Sequence, residues 1–97
     1  MFLMAKMLRL LSYDITNDKR RRHVAKLLEG SARRIHYSVF ETFMTESELS
    51  ALISKVLPFI FSEEGDSLLV YRLCGSCAPQ RHAWGKKVID WDAAIIV

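Results

Sequence analysis

The sequence predicts an α+β domain: an antiparallel β-sheet with two helices on one of its faces. Three observations carry this expectation. Apolar runs of strand length recur at Met7 to Tyr13, Arg34 to Met44 and Ser67 to Leu73. Two intervening segments, Asp18 to Glu29 and Thr45 to Leu57, repeat apolar residues at spacings of three and four behind capping residues. The chain is 97 residues long, enough for one domain and not two.

The first run, Leu8-Arg9-Leu10-Leu11-Ser12-Tyr13-Asp14, stops at an aromatic and a carboxylate. A carboxylate at the end of a buried strand is held rigidly and still reaches solvent, which suits a metal ligand or an acid/base. Asp is equally a favoured turn residue, and the local pattern alone favours the turn. Asn17 or Asp18 caps the first helix, whose apolar face is Val24, Leu27 and Leu28 with Ala25 beside them. Gly30 is expected to end it in the left-handed conformation. Its first turns carry Lys19, Arg20, Arg21 and Arg22. Cations there oppose the helix dipole at a cost of roughly a few tenths of a kcal/mol each. Such runs are commonly solvated faces, but this unfavourable placement also fits a polyanionic partner.

Arg34 to Met44 alternates as one strand, with Ile35, Tyr37, Val39 and Phe43 on one face and His36, Ser38, Phe40 and Thr42 on the other. The second face is only partly apolar, so Phe40 is either a dimer contact or a stacking platform for a base. Thr45-Glu46-Ser47-Glu48 is a capping box. Leu49, Leu52, Ile53, Val56 and Ile60 form the buried stripe behind it, and Pro58 ends the helix near Leu57, with a last turn to Phe61 still open. An acidic turn at Ser62 to Gly65 precedes the third run, apolar on both faces as in a strand inside a sheet. Cys74 to Pro79 reads as a turn-rich link, Gln80 to Trp84 as a short strand, and Ala93 to Val97 as an apolar strand that needs a pairing partner, most simply a second copy of the chain.

Composition is that of an ordinary globular protein, 51% hydrophobic and 26% charged, with a formal charge of +3 from 14 Lys+Arg against 11 Asp+Glu. This mild excess permits a polyanion without demanding one. Cys74 and Cys77 make a single C-x-x-C without a second pair or a His at zinc spacing, so two ordinary thiols are expected rather than a zinc site. No stretch is long and apolar enough to span a bilayer, and Lys6 and Arg9 interrupt the apolar start before any signal-peptide pattern. A cytoplasmic protein is expected, one domain over residues 1–97, with residues 1–6 a dispensable extension if Met7 is the start.

The elements are read in the order strand, helix, strand, strand, helix, strand, the split βαβ or ferredoxin-like plan, with one sheet face left free for dimerisation. At this point the chain resembles the CRISPR-associated protein two family, the small subunit of the spacer-acquisition machinery. The resemblance runs from about Met7 to the C-terminus. It rests on Leu10-Leu11-Ser12-Tyr13-Asp14-Ile15, on Asp18-Lys19-Arg20-Arg21-Arg22 leading into Val24-Ala25-Lys26-Leu27-Leu28, on His36-Tyr37-Ser38-Val39-Phe40-Glu41, and on Asp66-Ser67 with Val70-Tyr71-Arg72-Leu73.

The resemblance implies a homodimer with sheets packed face to face and the C-terminal strand crossing to the partner's sheet. It implies that Asp14 lies near the twofold axis opposite its mate, the two carboxylates sharing one Mg2+ that keeps much of its hydration shell. Arg20, Arg22, Arg33 and Arg34 would grip phosphates, and Tyr13 and Ser38 would shape the site. No residue stands out as a general acid or base, and His23 and His36 read as surface or packing residues. Two departures from the family pattern are the extra N-terminal residues and a His at position 36, where Gln or Asn is common. Two functions follow: a metal-dependent endonuclease cutting RNA or DNA with Asp14 as ligand, or a non-catalytic dimer that binds duplex DNA and bridges the integrase partner. The implied position at the twofold axis shifts the balance for Asp14 from turn residue to ligand.

Overall fold

The structure, a computed structural model, describes residues 6–80 together with residue 82. β1 (Met7–Asp14) leads to α1 (Asp18–Glu29), then the hairpin β2 (Arg33–His36) and β3 (Val39–Met44), then α2 (Glu46–Val56) and β4 (Ser67–Leu73). The sheet order is β2-β3-β1-β4 with every neighbouring pair antiparallel. β1 and β2 therefore run the same way with β3 between them, and β3 and β4 run the same way with β1 between them. These two interleaved βαβ units are the ferredoxin-like plan.

The packing of the two helices decides which of each strand's two faces is covered. Leu11 and Tyr13 of β1, Phe40 and Met44 of β3, and Leu68 and Val70 of β4 pack on Val24, Ala25 and Leu28 of α1 and Leu49, Leu52 and Val56 of α2. Each fully enclosed Leu, Val or Phe contributes on the order of 1.5–3 kcal/mol. Leu8, Leu10, Ser12 and Asp14 point to the opposite face, which carries no α-helix among the described residues. There Leu69 and Tyr71 of β4 are 50% and 54% exposed.

Both helices start as their sequences dictate. The Asn17 side chain accepts the Arg20 N–H at 2.9 Å. In the capping box of α2 the Thr45 N–H donates to Glu48 Oε1 at 2.8 Å and the Glu48 N–H to Thr45 Oγ1 at 3.1 Å. Pro58 is accommodated in a 3-10 turn, Leu57–Phe59, that follows α2 directly. Gly65, at φ +88°, closes the acidic turn before β4 in a conformation that a side chain would strain.

Three expectations are corrected. Arg34 to Met44 is two strands joined at Tyr37-Ser38, with a register shift between Arg34 and His36. Tight two-residue hairpins usually announce themselves by Gly or Asn at positive φ, and no non-Gly residue here has a positive φ, so the turn left no sequence mark. Gly30 is right-handed at φ −71°; α1 instead ends with the Ser31 and Ala32 N–H groups both donating to the Leu28 carbonyl. Gln80 belongs to a 3-10 turn, Ala78–Gln80, rather than to a strand. Residues 81 and 83–97, including the expected C-terminal strand, lie outside the described residues, as do residues 1–5 of the expected extension.

Candidate functional site

Asp14 is the last residue of β1 and is exposed on the open sheet face. Its register partner on β4 is Ser67. One residue earlier, the Tyr13 N–H donates to the Ser38 carbonyl at 3.1 Å, which places the β2–β3 turn beside the same strand end. Tyr37 at the tip of that turn is 92% exposed. Asp14, Ser67, Ser38 and Tyr37 thus gather at one end of the sheet. The sequence alone places Tyr37 on a strand face and gives Ser67 no role of its own, because their meeting depends on the β2–β3 turn and on cross-strand register.

Tyr13 does not join them. Successive strand residues point to opposite faces, so its ring enters the core while Asp14 faces out. Its hydroxyl donates to the Tyr37 carbonyl at 3.5 Å. Burial pushes its phenol above the ordinary value, with Arg34 acting against it. Phe40 is likewise buried, its ring 6.2 Å from that of Tyr13 at an interplanar angle of 25°. Neither a base nor a second subunit can stack on it, because the helix layer covers its face.

The basic residues divide into two groups. Arg20 reaches across to the start of β4. Its Nη2 donates to Asp66 Oδ2 at 2.7 Å and to Glu64 Oε1 at 3.0 Å, and its guanidinium lies 3.9 Å from the centre of the Phe61 ring. Arg21 pairs with Asp18 and donates to the Ile15 carbonyl. Arg34 donates to the Tyr37 carbonyl and to Glu29, and sits over Phe40. The expectation that Arg20 and Arg34 grip phosphates therefore meets guanidiniums already engaged within the fold. Half of the unfavourable charge at the start of α1 is neutralised by acids that are distant in sequence or precede it.

Arg22 does face solvent, and with Lys19 and Lys26 it forms a stripe at spacings of three and four along α1. No ion pair is recorded for these three among the described residues. Arg33 lies on edge strand β2, opposite Glu41 in register. Within one chain, the α1 stripe and Asp14 are on opposite sides of the sheet.

A further ionic cluster, without a signal in the sequence, joins Arg9, Glu46 and Arg72. Arg9 of β1 points under α2 and is 1% exposed. It donates to Glu46 Oε1 at 3.0 Å and to the Met44 carbonyl at 3.3 Å. Arg72, its register partner on β4, bonds the same carboxylate, so Glu46 separates two like charges. Arg72 and Arg9 together hold the Glu46 carboxyl below its usual range. A cavity of about 300 Å³ near Lys6, Met44 and Lys55 lies at the other end of β1 from Asp14.

Among the described residues no three His, Cys, Asp or Glu side chains converge to hold a metal ion. Asp14 supplies one carboxylate, so a divalent ion fits there only if a second chain brings another.

A family model described as CRISPR associated protein Cas2 matches residues 7–81. The chain belongs to the Cas2 family. A relative from Chloroflexus aurantiacus named CRISPR-associated endoribonuclease Cas2 1 is 48% identical over 71 residues, covering 73% of this chain and 76% of the relative. The crystal structure of Streptococcus pyogenes Cas2 superposes with a TM-score of 0.68 at 31% identity, over 81% of this chain and all of that one. A chain of a partial Cas6-RT-Cas1–Cas2 complex superposes with a TM-score of 0.71 at 26% identity, over 94% of this chain and 99% of its own. Cas2 relatives are thus named as endoribonucleases, and one similar chain comes from an assembly with Cas1. No helix among the described residues is long and apolar enough to cross a membrane.

Proposed function

We propose that this Cas2-family chain works as a homodimer in CRISPR spacer acquisition and cuts RNA or DNA with a divalent metal, most simply Mg2+, held between Asp14 of each of two chains. The observation that carries the reading is the position of Asp14: exposed, at the end of a buried strand, on the sheet face opposite α1 and α2 that bears the exposed Leu69 and Tyr71. Packing two such faces together would cover that apolar stripe and bring the two strand ends to one place. The ion would polarise a backbone phosphate and activate water. Asp14 would hold it, Ser67 and Ser38 would offer polar groups near it, and the exposed Tyr37 ring would be available to an unpaired base. The endoribonuclease names of the relatives support the nuclease chemistry.

Magnesium titrations of wild type and Asp14→Ala on RNA and DNA substrates test the reading. Wild type is expected to cut, and the variant to lose on the order of 100-fold or more in rate. If wild type cuts neither substrate, or the variant cuts equally well, catalysis is not what the site does.

The likeness to a chain from a Cas1–Cas2 assembly favours a second reading, a non-catalytic dimer that binds duplex DNA and bridges integrase subunits. An Asp14→Ala protein that still supports spacer integration supports it. In either case the exposed stripe of α1 is the candidate phosphate contact. Replacing Lys19, Arg22 and Lys26 by Ala should weaken duplex binding uniformly across sequences and lower the slope of log K against log salt by about one per residue. Fluorescence-anisotropy titrations at several salt concentrations measure this, and an unchanged slope removes the stripe from the interface.

A further inference from the structure

The turn that leaves β4, Cys74-Gly75-Ser76-Cys77, has no part in the function above. The Cys77 N–H donates to the Cys74 carbonyl at 3.0 Å, and the Ala78 N–H donates to the same oxygen at 2.9 Å. A turn so closed holds its end Cα atoms within about 7 Å of each other. A disulfide spans roughly 4.4–6.8 Å between Cα atoms. Ala78, the next residue, is buried against Leu8 with Phe43 and Leu73 beside it, so the turn is anchored to the sheet and is not a loose tip. Both thiols remain free and exposed.

We propose that Cys74 and Cys77 form a redox-active dithiol that a low-molecular-weight disulfide oxidises to an intramolecular disulfide, with Cys74 the attacking sulfur and Cys77 the resolving one. The two sulfurs differ in their surroundings. The Ser76 hydroxyl lies 3.2 Å from Cys74 Sγ and can donate to its thiolate. The side chain and backbone of Ser76, and then Cys77, bring the Cys74 thiol down to about 7, while Cys74 pushes the Cys77 thiol up. Near neutral pH the pair thus holds a thiolate next to a thiol, the arrangement that exchange chemistry requires.

The chemistry balances in two steps. The Cys74 thiolate attacks one sulfur of RSSR, forming the Cys74–SR bond and releasing RS−. Cys77 then gives up its proton to solvent and attacks Cys74 Sγ, forming the Cys74–Cys77 bond and releasing the second RS−. Two electrons pass from the protein dithiol to the reagent, which leaves as two thiols. The product ties the end of β4 to the residue just before the buried Ala78.

Full-length reduced protein treated with glutathione disulfide, then labelled with a maleimide-polyethylene glycol and weighed intact, tests the proposal. Both thiols should disappear together, without a glutathione adduct and without cross-linked chains, and dithiothreitol should restore them. Cys77→Ser should stop at a single adduct on Cys74, formed roughly 3–10-fold faster than the adduct on Cys77 in Cys74→Ser. Ser76→Ala should narrow that difference. Equal rates in the two single variants, a persistent wild-type adduct or interchain disulfides would each overturn it.

Discussion

Asp66→Ala should lower the thermal midpoint by on the order of 10 °C or more, whereas Glu63→Ala on the same acidic turn should change it little. Asp66 looks like one of several surface acids in the sequence, but its side chain is fully enclosed at the foot of β4. It accepts from the Thr16 N–H at 3.2 Å, the Phe61 N–H at 2.9 Å and Arg20 Nη2 at 2.7 Å. One carboxylate therefore joins the end of β1, the start of α1 and the segment after α2. Removing it leaves the Thr16 and Phe61 N–H groups without their acceptor and the Arg20 guanidinium with Glu64 alone. Asp66→Asn is not a mild alternative, since its amide would set donors against donors.

The same carboxylate gives a pH dependence of known sign. Burial alone would raise the Asp66 carboxyl, but the Phe61 N–H, Arg20 and the Thr16 N–H outweigh it and hold it below the ordinary value of 3.8. A group depressed on folding stabilises the fold fully above its unfolded value and loses that contribution as pH falls through the folded one. Wild-type midpoints should therefore drop as pH is lowered from about 4, and those of Asp66→Ala should drop less over the same range. Scanning calorimetry from pH 6 to pH 2 gives both curves; parallel curves would show that the carboxylate is not held by these donors.

Phe40→Ala should cost about 3–5 kcal/mol of a total stability of roughly 5–15 kcal/mol. The ring is wholly buried between β3 and the helix layer, stacked near Tyr13 and beneath Arg34, and truncation opens a cavity in that core. Phe40→Leu keeps most of the volume and should leave nucleic-acid binding as in wild type. Denaturant unfolding reads the stability and anisotropy titration the binding. If Phe40→Leu folded as well as wild type but bound nucleic acid several-fold more weakly, the ring would have to be reachable by ligand, against its enclosure.

Much of the fold was legible because its signals are local. Asn17 and the Thr45–Glu48 capping box act over three residues, and each forms as written. The Leu8 to Asp14 run announces its own end. What was not legible depends on residues far apart. Arg20 reads as part of a free basic run until Glu64 and Asp66 arrive from more than forty residues away. Arg9 reads as a charge interrupting an apolar start until Glu46 and Met44 receive it. Tyr37-Ser38 reads as the middle of a strand because its turn needs no left-handed residue.

By itself, then, the sequence determined the two helices and their N-caps, the strands β1 and β4, the family likeness and the carboxylate that ends β1. Alternation sorts a strand's residues into two sets, but it does not say which set the helices will cover. The tertiary structure decided that, and with it the separation of buried Tyr13 and Phe40 from exposed Asp14. Charge obeys the same limit. A count of cations shows that a polyanion could be held, but a cation is free to hold one only if the fold has not already brought it a carboxylate. Lys19, Arg22 and Lys26 remain exposed while Arg20 and Arg21 are taken, because the acidic start of β4 and the first residue of α1 reach only one side of that helix.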